Sequence, residues 1–106
     1  MQLQNVFIHH VYFFLKEKDN AAHKAQLIEG LRKLSAVPAI KDFHIGVPAG
    51  TNRDVIETGY AVSWFVLFAN DEDQASYQVD PVHLKFVEEC AHLWEKVIVY
   101  DSIDAW

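Results

Sequence analysis

An α+β fold is what this sequence predicts: strands and helices in the order β-α-β-β-α-β, with the helices on one face of a single antiparallel sheet. Three observations carry that reading. Two segments, VFIHHVYFFL at 6–15 and YAVSWFVLFA at 60–69, are dense in β-branched and aromatic residues and far too short to span a membrane. Helical periodicity follows each of them. Proline, glycine and Asx residues mark the junctions, and no repeat or linker interrupts the chain. The 106 residues suit one domain, 1–106.

Each element has its own warrant. Val6–Leu15 is apolar at both parities, so both faces of this first strand should be covered. Asp19-Asn20 supplies an N-cap, and a helix is predicted to about Ala36, with Leu27, Ile28, Leu31 and Leu34 on one face. Gly30 lies mid-helix, where it costs about 1 kcal/mol against alanine; close packing against the sheet would explain it. Pro38 ends the helix, and Ile40–Val47 reads as the second strand. The polar stretch Pro48–Gly59 is about as long as ordered loops become. Tyr60–Ala69 is a third strand, again apolar at both parities. Asn70-Asp71 starts a short helix to Tyr77, and Asp80-Pro81 opens another to about Glu95, with aspartate at the N-cap and proline in the first turn. Val97–Tyr100 makes the last strand. This is the ferredoxin-like plan. Such a sheet leaves one face bare, yet two of these strands are apolar on both. A bare patch of Phe7, Val11, Phe13, Phe65 and Leu67 is more than monomers expose, so a homodimer with sheets face to face is expected.

Composition narrows the function. With 51% hydrophobic and 13% aromatic residues the chain can build a real core. A net charge of −6 with no Lys/Arg cluster argues against nucleic acid and against anionic membrane surfaces. Cys90 is the only cysteine, so no internal disulfide is possible, and MQLQNVFIHH lacks the basic start of a secretion signal. A cytoplasmic domain is the expectation. No histidine spacing matches a zinc pattern, adjacent His9 and His10 point to opposite sides of a strand, and PAGT lacks the Lys-Ser/Thr of a P-loop, so neither metal nor cofactor is expected.

One polar pair invites chemistry. On the last helix Phe86, Val87, Cys90, Leu93 and Trp94 form an apolar stripe, and His83 extends it into the first turn. Tyr77 closes the preceding helix beside the same mouth. A buried imidazole can move protons near neutral pH, and a phenol can donate to an oxygen that gains charge. Beneath these helices runs the first strand, where either His9 or His10 must face them. The bland alternative is a structural histidine bonded to its neighbours.

Four features together resemble the stress-responsive dimeric α/β-barrel (Dabb) family. They are His-x-x-x-Phe within IHHVYFFLK at 8–16, Gly46 before a polar loop, Gly59-Tyr60 opening the third strand, and Tyr77, Pro81, His83 and Phe86 in the pattern Tyr-x-x-x-Pro-x-His-x-x-Phe. The resemblance implies a ferredoxin-like homodimer whose sheets form a barrel, with a pocket for a small, largely apolar molecule between sheet and helices. A plant member closes a polyketide by an aldol step. Its tyrosine and histidine match Tyr77 and His83, its first-strand histidine matches His10, and its third-strand histidine falls on Val62, so that group is lost here. Many relatives carry histidine where Asp80 stands. The implied set is His83 as acid/base, Tyr77 as donor and His10 as orienting group, with Tyr12, Val62, Trp64 and Phe86 as pocket wall. The expected function is small-molecule binding with lyase- or cyclase-like proton transfer. The alternatives are a non-catalytic dimeric module and a cofactor-free monooxygenase.

Overall fold

The computed structural model describes residues 1–106. Strand β1 (Phe7–Leu15) leads to helix α1 (Ala21–Leu34), then β2 (Asp42–Gly46), β3 (Val62–Phe68), helices α2 (Asp71–Val79) and α3 (Pro81–Cys90), a 3-10 turn at Ala91–Leu93, and β4 (Trp94–Ile103). The strands form one antiparallel sheet in the order β2-β3-β1-β4, the ferredoxin-like arrangement. No helix is long and apolar enough to cross a membrane.

The caps fall where side-chain chemistry puts them. Asn20 accepts from the His23 amide at 3.0 Å and starts α1. Asn70 accepts from the Asp73 amide at 2.8 Å and starts α2. Asp80 ends one helix and begins the next. Its amide donates to the Tyr77 carbonyl at 3.2 Å, its carboxylate accepts from the Val82 amide at 2.8 Å, and Pro81 follows as the first helical residue. This double cap fixes the angle between α2 and α3.

The last helix is shorter than its apolar stripe suggests, and the last strand longer. Leu93 closes the 3-10 turn, and Trp94 is the first residue of β4. Its ring still reaches the core, 4.9 Å from the Phe13 ring and 5.8 Å from Phe86, centroid to centroid. A residue two turns along the helix and the first residue of the returning strand both face the same core, so periodicity alone does not separate them. Asp101–Ile103, expected as tail, pair with His9, Ile8 and Phe7 of β1.

The sheet's two faces sort the strands. Toward the helices lie His9, Val11 and Phe13 of β1 with Val62, Trp64, Val66 and Phe68 of β3, all buried. They pack with Leu27, Leu31, Leu34, Tyr77, Phe86 and Cys90 from the helices into one core. The expected bare patch is thereby corrected: Phe7, Val11 and Phe13 share the helix-side parity, because Val11 pairs with Trp64 and Phe13 with Val62. Phe65 and Leu67 do lie on the open face. Across that face run aligned rows, Tyr100–His10–Phe65–His44 and Ser102–Ile8–Leu67–Asp42. Gly30 packs against α3 and not against the sheet: a Cβ there would stand 2.7 Å from Cys90 Sγ and 3.2 Å from Phe86 Cδ1.

Candidate functional site

Helices α2 and α3 roof a pocket of about 150 Å³ over the β1–β4 side of the sheet. Val11 and Phe13 form its floor with Trp64, and Phe86 and Trp94 close one side. The mouth is set by Val87 and Val99, both partly exposed. Besides the indoles of Trp64 and Trp94, four lining residues bring polar groups: His9, Tyr77, Gln78 and His83.

Tyr77 is 1% exposed, at the C-terminal end of α2. The Trp64 indole N–H donates to its hydroxyl at 2.9 Å. The oxygen is therefore satisfied as an acceptor while its own O–H remains a donor. Burial pushes the Tyr77 pKa up to about 12, with the Trp64 bond opposing, so the phenol stays protonated. His83 stacks edge-on against it, ring centroids 4.7 Å apart. Its Nδ1 is buried without a hydrogen-bond partner. Burial, then the nearby His9, lowers the His83 pKa. The Gln78 carbonyl, which closes no bond of good geometry, and the Asp80 carboxylate pull weakly the other way. A neutral imidazole beside a protonated phenol can accept one proton and donate another.

The third polar group is His9. It is 5% exposed, its ring centroid is 5.8 Å from that of Tyr77, and its Nδ1 lies 2.6 Å from Asp101 Oδ1. The carboxylate is acceptor-only, so Nδ1 carries the proton and Nε2 is left free in the neutral ring. Residue 9 pairs with residue 101 across β1 and β4, which is what joins them.

Of the residues singled out from the sequence, His83, Tyr77, Trp64 and Phe86 meet in this pocket. Two others do not. His10 and Tyr12 point to the opposite face of the sheet, where the Tyr12 hydroxyl and His10 Nδ1 are 3.1 Å apart. His10 packs edge-on against Phe65, and its pKa is lowered by burial and by His44. The correction has a simple cause: adjacent strand residues face opposite ways, and the parity holding Val11 and Phe13 takes the helix side. Val62 is fully buried in the core and does not line the pocket. Sequence reasoning misses His9 and Asp101 as a pair. The signal is the Val97-Val99-Asp101 alternation, which carries Asp101 onto the helix face once β4 is extended. No three His, Cys, Asp or Glu side chains converge as a metal site.

A family model described as the stress responsive A/B barrel domain (Dabb) matches residues 8–104. No curated protein matches the chain. Among solved structures, a Dabb family protein with a ferredoxin-like fold from Mesorhizobium loti superimposes with a TM-score of 0.79 at 21% identity, covering 97% of this chain and 100% of that one. A hydroxynitrile lyase from Passiflora edulis gives 0.79 at 20% identity, covering 96% and 95%. A dimeric protein of unknown function from Bacteroides fragilis, also of ferredoxin-like fold, gives 0.73 at 18% identity, covering 97% and 100%. At these identities the likeness establishes the fold.

Proposed function

The chain belongs to the stress responsive A/B barrel (Dabb) family, and within that frame we propose that it binds a small, largely apolar molecule in the pocket between sheet and helices and moves a proton on it. The observation that carries this is the convergence of His83, Tyr77 and His9 on one apolar cavity. His83 acts as the acid/base, the Tyr77 hydroxyl donates to an oxygen gaining charge, and His9, held by Asp101, takes the orienting role that the family resemblance assigned to His10. The reaction class is addition to, or elimination beside, a carbonyl. The Passiflora edulis neighbour is a hydroxynitrile lyase, an instance of lyase chemistry on this fold that leaves this chain's substrate open.

The test is a thermal-shift screen of the wild type against His83→Ala. A ligand at a hundred times its Kd raises stability by about 2.7 kcal/mol. Compounds that raise the wild-type Tm and leave His83→Ala unmoved support the reading. Hits that shift both equally count against it.

A homodimer through the open sheet face belongs to the same proposal. Ile8, Phe65 and Leu67 are part-buried there, while Tyr100 is left 66% exposed, and the Bacteroides fragilis neighbour is dimeric. Sedimentation of the wild type at micromolar concentration should give twice the chain mass, and Phe65→Glu the single chain. A wild-type monomer would refute the dimer.

The non-catalytic module keeps one supporting observation, the Trp64–Tyr77 bond, which gives Tyr77 a purely structural use. It predicts that Tyr77→Phe loses stability while leaving all ligand affinities unchanged.

A further inference from the structure

We infer that the pocket takes an uncharged, ring-sized molecule bearing a hydroxyl or carbonyl oxygen, and rejects the carboxylate of the same skeleton. The inference rests on the ligand-binding reading above and names the class of ligand.

Size comes first. A cavity of about 150 Å³ matches one that holds a benzene-sized guest. The walls suit a ring: Phe13, Trp64, Phe86 and Trp94 are aromatic, and Val11, Val97 and Val99 fill the gaps between them.

Charge decides the rest. None of the twelve lining residues is a lysine, arginine, aspartate or glutamate. A carboxylate held against these walls would lack a cation and shed much of its water, a cost that buried ions repay only with a partner. The two imidazoles do not supply that partner. His83 is biased toward the neutral form by its surroundings. Any positive charge on His9 is already matched by Asp101 at 2.6 Å, and that carboxylate adds a like charge behind the ring. A neutral oxygen meets no such penalty, because the Tyr77 O–H can donate to it and a neutral imidazole nitrogen can accept from a hydroxyl.

Matched pairs test this on the full-length chain at pH 7.5: benzyl alcohol against benzoate, and cyclohexanol against cyclohexanecarboxylate. Binding is followed by NMR through the Trp64 indole N–H, which sits in the wall and bonds Tyr77. The alcohols should bind at least about tenfold more tightly than the acids. Phe86→Trp, which fills the cavity, should abolish the alcohol response. Should the larger ring unfold the chain, Val87→Trp at the partly exposed mouth serves instead. Equal or tighter binding of the acids overturns the neutral-ligand inference and leaves the pocket reading intact. Silence from all four compounds overturns both.

Discussion

Substituting Gly30 by alanine tests the α1–α3 contact that holds the pocket roof in place. In an open helix the change would stabilise by about 1 kcal/mol, since glycine pays more backbone entropy. Here the new Cβ would stand 2.7 Å from Cys90 Sγ and 3.2 and 3.3 Å from Phe86 Cδ1 and Cε1. Both neighbours are buried, Cys90 at 3% and Phe86 at 6% exposure, so neither is the free end of a surface side chain. Overpacking a core typically costs about 1–3 kcal/mol, which outweighs the propensity gain. A Cβ only 2.7 Å from a buried sulfur belongs in the upper part of that range, about 2–3 kcal/mol, so we expect a net loss of about 1–2 kcal/mol and a Tm lowered by roughly 5–10 °C.

Cys90→Ala supplies the control. Alone it removes the sulfur and leaves a small void, costing about 1 kcal/mol. In that background the methyl introduced by Gly30→Ala enters the vacated space, and the helix gain returns. The double variant should therefore be at least as stable as Cys90→Ala, a sign reversal worth about 2 kcal/mol of coupling. The assay is urea unfolding at fixed protein concentration, with m unchanged as the check on two-state behaviour. If Gly30→Ala is neutral or stabilising in the wild type, the helices are more widely spaced than described, and the placement of Phe86 in the pocket wall falls with them.

Three further outcomes follow from the same geometry. Tyr77→Phe strands the buried Trp64 indole N–H and should cost about 1–3 kcal/mol in urea unfolding; adding Trp64→Phe should cost less than the two single losses summed, and strict additivity would deny the bond. For pH, His10 and His83 both have pKa values lowered in the folded chain, so the fold favours their neutral forms. At pH 8 folded and unfolded rings are alike neutral and nothing is lost. As pH falls through about 6.5 the unfolded rings protonate first, and stability drops until the folded rings follow. The Tm should thus be lower at pH 5 than at pH 7.5 by more in the wild type than in His10→Gln/His83→Gln, and identical pH profiles would sink the claim. Asp101→Ala should release His9 from its Nδ1–H tautomer, visible as a changed pair of imidazole nitrogen shifts; unchanged shifts would mean the 2.6 Å contact does not set the tautomer.

Much of this arrangement is legible in local chemistry alone. The Asp80-Pro81 pair announces a helix start, and stepping back from Phe86 turns His83 inward; both residues sit where that reasoning puts them. Strands apolar at both parities announce a sheet with two demands on its faces. What stays hidden depends on pairing between distant strands. The polar end of β4, Asp101-Ser102, has weak strand propensity of its own and is held extended by hydrogen-bonded pairing to β1. Trp94 could belong to helix or strand, since either places its ring on Phe86. The partner of Gly30 needs the helix-to-helix distance, which no one-dimensional pattern contains.

The choice between His9 and His10 shows why. The two are chemically identical neighbours, and a shift of one residue in the β1 register would exchange them, because side chains alternate strictly along a strand. Such a slip would also turn Val11 and Phe13 out of the core and lift the His9 ring off Asp101. Register is thus held by the core and by the polar pair at once: Val11 opposite Trp64, with its indole tied to Tyr77, and His9 opposite Asp101. Two adjacent imidazoles consequently serve two surfaces. One joins Tyr77 and His83 in the pocket, and the other lies with Tyr12, Phe65 and Tyr100 on the face proposed for the second copy. A variant that changes both histidines therefore confounds pocket and interface, and only the single substitutions separate them.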